Sequence, residues 1–292
     1  MTAQPQTTFI SCNGIRLHLA LAGPQDGPPV VLLHGFPEFW YGWRHQIEAL
    51  AAAGFRVIAP DQRGYNLSEK PRGVHNYQVE RLSADVIGLL DALGYEQAFL
   101  AGHDWGAAVA WETAIRYPER VRKLAILNVP HPDVMSRFLL SNAEQQRKSW
   151  YIYFFQLPLI PEAVLRANDW APAVGMLTHS ALPGSFTEAD IEQYRRAWWR
   201  KGAMTSMLNW YRAVFRRALR GSLDPDKIVP RRVHVPTMIL WGKQDIALSH
   251  HMAQPSCDLC DQGLLVFFDH ATHWVQHDEA EAVNKALISF FA

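Results

Sequence analysis

The sequence predicts an α/β fold in which a mostly parallel sheet carries helices on both faces and a helical lid is inserted. Short apolar runs alternate with stretches of helical period along most of the 292 residues. That pattern is typical of parallel strands buried on both faces. Between about residues 130 and 230 the alternation stops, and the chain becomes rich in Trp, Tyr, Phe, Met and Arg. Strand–loop–strand patterning then returns, which indicates an insertion into a single α/β unit.

The individual elements follow from hydrophobic period and turn residues. A hairpin is expected at residues 8–12 and 15–22, because Asn13-Gly14 is a strong turn dipeptide. Continuous apolar runs predict six more strands, at 30–33, 56–59, 98–101, 124–127, 237–241 and 264–268. Stretches of helical period predict helices at 43–53, 79–93, 107–117 and 279–291. We therefore expect a core domain of residues 1–130 and 231–292, and a helical cap of residues 131–230.

Composition argues against several classes of function. The chain has 28 Lys+Arg and 28 Asp+Glu, so its formal charge gives no support for nucleic-acid binding. No apolar run reaches the ~20 residues of a membrane-spanning helix, and no signal peptide is evident. We expect a cytoplasmic monomer or homodimer without a membrane partner. Cys12, Cys257 and Cys260 do not suggest a disulfide framework, and the CxxC pair is expected to be reduced and structural.

The peptide at residues 102–106, GHDWG, is the most informative motif. It follows an apolar run and precedes a helical pattern, and its flanking glycines are typical of a nucleophile elbow, the tight strand-to-helix turn that presents a reactive side chain. Glycine suits such a strained and crowded turn. Asp104 stands where hydrolases usually carry serine. The alternative is that Asp104 is only the N-cap of the following helix.

An aspartate nucleophile favours a particular chemistry. Attack by a carboxylate on an acyl carbon would give a reactive anhydride, whereas attack on a saturated carbon gives an alkyl ester that water can open. A free carboxyl group is ionised at neutral pH, so it needs no activating base. The elbow therefore predicts displacement at an sp3 carbon, in an epoxide or at a carbon–halogen bond.

Hydrolysis of that ester requires a base and a group that orients it. Asp245 follows a late strand and His273 follows the last strand, so the chain order nucleophile, acid, histidine matches the α/β-hydrolase pattern. Asp269 is a rival acid, and His270 and His277 are rival bases. The backbone N–H groups of Phe36, in the loop after the third strand, and of Trp105 are the expected donors of an oxyanion hole.

These residues resemble the epoxide hydrolases of the α/β-hydrolase fold over nearly the whole chain. The loop at 34–37, HGFP, is similar to that family's HGxP motif, and residues 102–106 match its nucleophile motif. Residues 61–68 are similar to its DxRGxGxS loop, except that Asn66 replaces a glycine. Asparagine tolerates left-handed backbone angles, so the loop can keep its shape. Thr272 also departs from the glycine that the family often has before the histidine.

The resemblance implies two lid tyrosines that hydrogen-bond the epoxide oxygen. Tyr151 and Tyr211 lie in segments similar to the two that carry them, and Tyr153 is the alternative to the first. A phenol suits this role because it is protonated at neutral pH yet can assist an alkoxide. Aromatic core packing would place tyrosines in such a lid equally well. Apolar residues of the lid suggest a pocket for aryl or alkyl groups, namely Trp150, Trp170, Met176, Trp198, Trp199 and Trp210.

The sequence is thus interpreted as a cofactor-independent epoxide hydrolase that needs no metal. Asp104 would open the epoxide, and His273 oriented by Asp245 would activate water. Phe36 and Trp105 would also contact substrate, together with Trp150 and Trp210. Haloalkane dehalogenases share the fold, the aspartate and the histidine, so dehalogenation stays open. A third possibility is a non-catalytic small-molecule-binding protein on the same scaffold.

Overall fold

The computed structural model describes residues 5–219 and 224–292. Within them, the strands form one sheet of eight, in the spatial order first, second, fourth, third, fifth, sixth, seventh, eighth. The strands are β1 (Gln6–Cys12), β2 (Ile15–Ala22), β3 (Pro29–Leu33), β4 (Arg56–Pro60), β5 (Ala98–His103), β6 (Val121–Leu127), β7 (Thr237–Gly242) and β8 (Gly263–Phe268). β1 and β2 form the expected hairpin, β2 pairs antiparallel with β4, and the pairs from β4 across to β8 are parallel. The predicted fold class and strands are confirmed.

Helices alternate with the strands before β6 and after β7, and the remaining helices lie between those two strands. They are α1 (Arg44–Ala52), α2 (Val79–Leu93), α3 (Trp105–Arg116), α4 (Pro132–Ser141), α5 (Ala143–Lys148), α6 (Trp150–Phe154), α7 (Ile160–Thr178), α8 (Glu188–Trp198), α9 (Ala203–Ala218), α10 (Ala253–Cys257), α11 (Val275–Asp278) and α12 (Ala280–Phe291). The four helices expected from hydrophobic period correspond to α1, α2, α3 and α12. No helix in the described ranges has the length and apolarity needed to cross a bilayer.

Two apolar layers hold the sheet, one on each face. In β3, Val31 and Leu33 pack on the side of α2 and α3, whereas Val30 and Leu32 pack on the side of α1 and α12. Successive side chains of a strand point to opposite faces, so a strand covered on both sides needs an unbroken apolar run. This explains why the central strands read as continuous apolar segments rather than as an alternating pattern.

Between β6 and β7, the elements assigned among the described residues are helices, α4 to α9 and a short 3-10 helix (Pro225–Lys227), and Val233 adds an isolated bridge to Cys260. Asp133 at the start of this helical segment and Arg231 just after it lie side by side. The Arg231 guanidinium donates to both carboxylate oxygens of Asp133, each at 3.1 Å, and to Glu112 Oε2 of α3 at 3.1 Å. The chain leaves the sheet near Asp133 and returns to it near Arg231, and these two points are therefore bound to each other and to α3.

Candidate active site

The turn between β5 and α3 places Asp104 in a strained backbone conformation, with φ at 49° and ψ at −125°. A Cβ atom on Gly102 would lie 2.5 Å from the Gly106 carbonyl oxygen, and one on Gly106 would collide with the carbonyl of Leu33. A Cβ on Gly35 would overlap the Asp104 side chain. Glycine is therefore required on both sides of this aspartate. The Asp104 side chain makes no capping hydrogen bond to α3, which argues against a simple N-cap.

One carboxylate oxygen of Asp104 is held by the loop that follows β3. The backbone N–H of Phe36 donates to Asp104 Oδ1 at 2.6 Å. Trp105, the second expected amide donor, is the first residue of α3 and directly follows the nucleophile. The parallel pairing of β3 with β5 brings these two loops to the same edge of the sheet, because parallel strands end on one side.

The other oxygen of Asp104 lies near a histidine–aspartate pair. His273 Nε2 is 3.5 Å from Asp104 Oδ2, and His273 Nδ1 is 2.7 Å from Asp245 Oδ2. His273 follows β8 and Asp245 follows β7, the strand that pairs with β8. The structure therefore brings together the three residues that the sequence analysis selected as nucleophile, base and acid.

Asp245 is buried, and each of its carboxylate oxygens accepts two hydrogen bonds. Its Oδ1 accepts from the backbone N–H groups of Ala247 at 2.7 Å and Leu248 at 2.9 Å. Its Oδ2 accepts from Asn128 Nδ2 at 2.9 Å as well as from His273. Burial acts to raise the pKa of Asp245, but the charge of His273 and these hydrogen bonds lower it below its ordinary value. The carboxylate is thus fixed as an anion beside the imidazole.

Asn128, which the sequence analysis missed, connects the ends of β6, β7 and β8. Its amide nitrogen also lies 3.2 Å from the carbonyl of Thr272, and its amide oxygen accepts the N–H of Gly242 at 2.9 Å. The residue has a positive φ of 54° directly after β6. An asparagine at the end of an apolar strand run is a signal that could have singled it out, because asparagine is among the few residues that adopt this conformation readily.

The pKa of His273 is controlled by the two carboxylates on either side of its ring. Burial acts to lower this pKa, but the charge of Asp245 and the contact with Asp104 outweigh it and raise the pKa from 6.5 to about 10. The folded value lies above the unfolded one, so protonated His273 stabilises the native state fully below pH 6.5. That stabilisation is lost as the pH rises towards about 10. In the resting protein at neutral pH, His273 is an imidazolium.

Removing the charge of Asp104 should therefore lower the pKa of His273. We expect Asp104→Asn to shift it downwards by roughly 1–3 units, the usual effect of one close opposite charge. The shift can be followed from the imidazole proton resonances in an NMR titration between pH 5 and 11. The exposed Asp269→Asn variant is the matched control and should leave the titration unchanged. An unaltered pKa in Asp104→Asn would contradict the electrostatic coupling described above.

The rival residues lie elsewhere. Asp269 is exposed and pairs with Lys243 at 2.6 Å, and His270 is exposed. His277 is buried, but its Nε2 is 2.8 Å from Glu38 Oε1 rather than near Asp104. None of the three contacts the nucleophile, so the structure favours Asp245 and His273 over them.

Two tyrosines of the helical segment belong to the aromatic cluster beside Asp104. The ring of Tyr211, from α9, packs at 4.9 Å from Trp105 and 5.4 Å from Phe36, centroid to centroid. The ring of Tyr151, from α6, lies 6.0 Å from that of Tyr211. Burial, followed by the charge of Asp104, raises the pKa of both phenols above 10, so both are neutral hydrogen-bond donors. Tyr153, the alternative to Tyr151, is 60% exposed.

Several tryptophans expected around a pocket do not lie there. Trp150 is 64% exposed and its ring packs on Phe154, so the structure gives no support to its predicted contact with substrate. Trp199 is also exposed, whereas Trp170 and Trp198 pack on each other inside the helical segment. The Trp198 indole donates to the Pro37 carbonyl at 2.6 Å. These residues form the hydrophobic core of the helical segment and its contact with the loop after β3, which sequence alone does not distinguish from a pocket lining.

The aromatic residues near Asp104 are a smaller set. The ring of Phe155 packs at 5.6 Å from Phe36 and 4.9 Å from Tyr211. Trp210 is fully buried, lies 5.8 Å from Trp105, and donates its indole N–H to the Arg63 carbonyl at 3.0 Å. Trp210 thus packs against Trp105 and holds it in place. Phe155 lines the same aromatic cluster, and the sequence analysis did not name it.

A buried carboxylate behind the nucleophile was also missed. Glu38 Oε1 accepts from the Tyr194 hydroxyl at 2.7 Å and from His277 Nε2 at 2.8 Å, while its Oε2 accepts from Gln276 at 3.1 Å. Burial acts to raise the pKa of Glu38, but the neighbouring imidazoles hold it well below 4.5. The carboxylate also lies 3.5 Å from the ring of His103.

His103 extends this network to the catalytic loops, because it immediately precedes Asp104. Its Nε2 donates to the backbone carbonyl of His273 at 2.7 Å, and its Nδ1 accepts from Gln276 at 3.0 Å. Hydrogen bonds thus join the nucleophile turn, the histidine loop and the loop after β3. Such a network orients the reacting groups through their backbones.

Comparison with known proteins gives one consistent family. The family model described as alpha/beta hydrolase fold matches residues 28–280. The chain is similar to the Bacillus subtilis AB hydrolase superfamily protein YfhM, with 47% identity covering 97% of this chain and 96% of that protein. It is 33% identical to Epoxide hydrolase A of Mycobacterium tuberculosis, covering 98% of this chain and 97% of the relative.

A solved structure supports the same placement. The crystal structure of Bacillus megaterium epoxide hydrolase in complex with an inhibitor matches with a TM-score of 0.87 and 33% sequence identity, covering 97% of this chain and 99% of that one. The match covers nearly the full length of both chains, so it includes the helical segment between β6 and β7 as well as the sheet. The chain belongs to the epoxide hydrolase family of the α/β-hydrolase fold.

Proposed function

We propose that this protein hydrolyses apolar epoxides to vicinal diols through an alkyl ester on Asp104. The observation that carries the proposal is that the two oxygens of this carboxylate have different partners. Its Oδ1 is held by the Phe36 amide at 2.6 Å, and its Oδ2 lies 3.5 Å from His273 Nε2. Two neutral phenols, Tyr151 and Tyr211, stand above it. A nucleophile, a base and proton donors are thus within reach of one small volume.

In the proposed first step, Asp104 Oδ2 attacks an epoxide carbon. The new O–C bond forms as the ring C–O bond breaks, and the epoxide oxygen takes a proton from Tyr151 or Tyr211. The phenols suit this role because they stay protonated at neutral pH and can donate as charge develops on the oxygen. Asp104 Oδ1 then becomes the ester carbonyl oxygen, already held by the Phe36 amide. We assign the backbone N–H of Trp105 as the second donor to it.

In the proposed second step, His273 activates water. Esterification removes the charge of Asp104, so the pKa of His273 falls, and the ring gives its proton to solvent and becomes a neutral base. Water gives a proton to His273 Nε2 and its oxygen attacks the ester carbonyl carbon, while the amides hold the oxyanion. The ester C–O bond then breaks, and the leaving alkoxide takes the proton from His273. The carboxyl proton on Asp104 passes to solvent, and solvent returns one proton to the tyrosinate and one to His273, which restores the resting protein.

We further propose that residues 131–230 form a cap over a core of residues 1–130 and 231–292. Three observations support this division. The helices α4 to α9 all lie between β6 and β7, the contact between Asp133 and Arg231 joins the two ends of this segment, and Tyr151 and Tyr211 both come from it. The aromatic walls of Phe36, Phe155 and Trp105 suit an apolar substrate.

A haloalkane would need the same nucleophile but no proton donor, so the tyrosines discriminate between the two reactions. We expect Tyr151→Phe and Tyr211→Phe each to lower diol formation from a styrene-type epoxide by about 10²-fold, the usual contribution of one general acid. The double variant should lose more. Initial rates of diol production, with halide release from chloro- and bromoalkanes measured in parallel, test this expectation.

Tyr153→Phe is the matched control, because this tyrosine lies on the same helix but is exposed. It should retain wild-type rates. Unchanged diol production in Tyr151→Phe/Tyr211→Phe would refute the epoxide assignment. Halide release without epoxide turnover would establish dehalogenation instead, and inertness towards both substrate panels would favour a binding protein.

A further inference from the structure

A buried glutamine connects the helix pair α5–α6 to the loop that carries Asp245. Gln145 on α5 has no solvent-exposed surface. Its Nε2 donates to Ser149 Oγ at 2.8 Å and to the carbonyl of Ala247 at 3.0 Å. Its Oε1 accepts the backbone N–H of Ser249 at 2.9 Å. Both amide hydrogens and the amide oxygen are therefore used, two of the three bonds reaching across to the core.

On the helical side, these bonds fix the start of α6. Ser149 is the residue between the two helices: its N–H donates to the Gln145 carbonyl at 2.9 Å, and its own carbonyl accepts from Ile152 in the first turn of α6 at 3.0 Å. Tyr151 is the second residue of that short helix. A five-residue helix has little rigidity of its own, so the position of Tyr151 depends on what holds Ser149.

On the core side, the same bonds reach the loop that carries the triad acid. The loop at residues 245–249 gives Gln145 the carbonyl of Ala247 and the N–H of Ser249, and it gives Asp245 Oδ1 two N–H groups. Lys148 Nζ adds a bond to the carbonyl of Asp245 at 2.8 Å. The 245–249 loop therefore binds both the Asp245 carboxylate and the helix pair α5–α6.

We propose that Gln145 is a positioning residue for ring opening: by tying Ser149 to the 245–249 loop, it places the hydroxyl of Tyr151 over Asp104. This inference rests on the proposed function. Glutamine suits the site because only a side chain with both a donor and an acceptor can satisfy a buried carbonyl and a buried N–H together. The Asp245 carboxylate has its own bonds from Asn128, Ala247 and Leu248. Losing Gln145 therefore affects Tyr151 more than the pair that hydrolyses the ester.

The test separates the two chemical steps. In single-turnover experiments, Gln145→Leu should slow formation of the Asp104 ester by about 10-fold to 100-fold, the loss expected from a misplaced catalytic group. Hydrolysis of ester already formed should change by less than about twofold, because the pKa and position of His273 are unaffected. Gln146→Leu, the same change at the exposed neighbour on α5, is the control and should leave both rates unchanged.

A double-mutant cycle shows whether Gln145 acts through Tyr151. In a Tyr151→Phe background, Gln145→Leu should slow esterification by less than about twofold, because the group it positions has been removed. An equal loss in both backgrounds, or an equal loss in both chemical steps, would show a general structural effect and overturn the proposal. Ser149→Ala removes only the acceptor on the helical side, so it provides the same test if Gln145→Leu does not fold.

Failure of this inference is distinguishable from failure of the proposed function. If the wild-type protein forms no ester on Asp104 with an epoxide, the proposed function itself is wrong. If the ester forms and Tyr151→Phe slows its formation, but the two mutations act independently, only the role of Gln145 is removed.

Discussion

Replacing Asp104 with asparagine should lower epoxide turnover by about 10⁴-fold to 10⁶-fold, the range seen when a covalent nucleophile is removed. An amide oxygen is too weak a nucleophile to open the ring. The substitution is otherwise mild. Asparagine tolerates the φ of 49° at this turn better than most residues, and its side-chain oxygen can still accept the Phe36 N–H. The loss should therefore appear in chemistry and not in folding.

Steady-state diol formation and thermal unfolding measure these two effects separately. Asp104→Asn should unfold within a few degrees of the wild-type protein, and Asp269→Asn, on the exposed part of the histidine loop, should retain full turnover. Retention of more than about one per cent of the wild-type rate, in protein free of contaminating wild type, would exclude an Asp104 ester as the main route.

Replacing His273 with glutamine should stop the reaction after its first half. Ring opening needs Asp104 and the tyrosines, so one equivalent of epoxide should still react with each protein molecule. Hydrolysis needs the imidazole, and steady turnover should fall by about 10³-fold to 10⁵-fold. The expected result is a protein that consumes substrate stoichiometrically, forms almost no diol and carries a covalent adduct.

Intact-protein mass spectrometry should find that adduct, and peptide mapping should place it on Asp104. His270→Gln is the control, because this exposed neighbour should neither accumulate the adduct nor slow turnover. A folded His273→Gln protein that reacts with no epoxide at all would assign the histidine to ring opening instead. Normal diol formation would remove it from the mechanism.

The sequence predicted the grouping of the proposed nucleophile, acid and base because each of them follows a strand of a parallel sheet. Asp104, Asp245 and His273 come after β5, β7 and β8, and a parallel sheet brings such loops to one edge whatever the details of packing. The glycines around Asp104 added a second, local signal. Phe36 was predictable for the same reason, since its loop follows β3. These inferences require only chain order and strand direction.

The residues that support the triad could not be predicted in this way. Glu38, Asn128 and Gln145 act through partners roughly 100 or more positions away in sequence. Which buried polar groups meet depends on strand register and on how the helical segment docks, and neither leaves a pattern in the sequence. An asparagine at the end of an apolar run, such as Asn128, can be singled out in the sequence, but the partners of its side chain cannot.

The aromatic segment at 150–155 shows a different limit. Its sequence, WYIYFF, is apolar at every position, so a helical period cannot reveal which side is buried. Tyr151 was assigned from its resemblance to a known segment, and the structure does place its ring beside Tyr211. Trp150, one position earlier, points mostly to solvent. In a uniformly apolar helix, the sequence does not show which side chains face the core and which face solvent.

Hydrogen bonds attach the helical segment to the core on both sides of Asp104. On one flank, Trp198 and Tyr194 bind the loop that supplies the Phe36 amide, and on the other flank Gln145 and Lys148 bind the loop of Asp245. Lifting the segment as a rigid lid would break these bonds together, whereas admitting substrate by side-chain rearrangement alone would keep all of them.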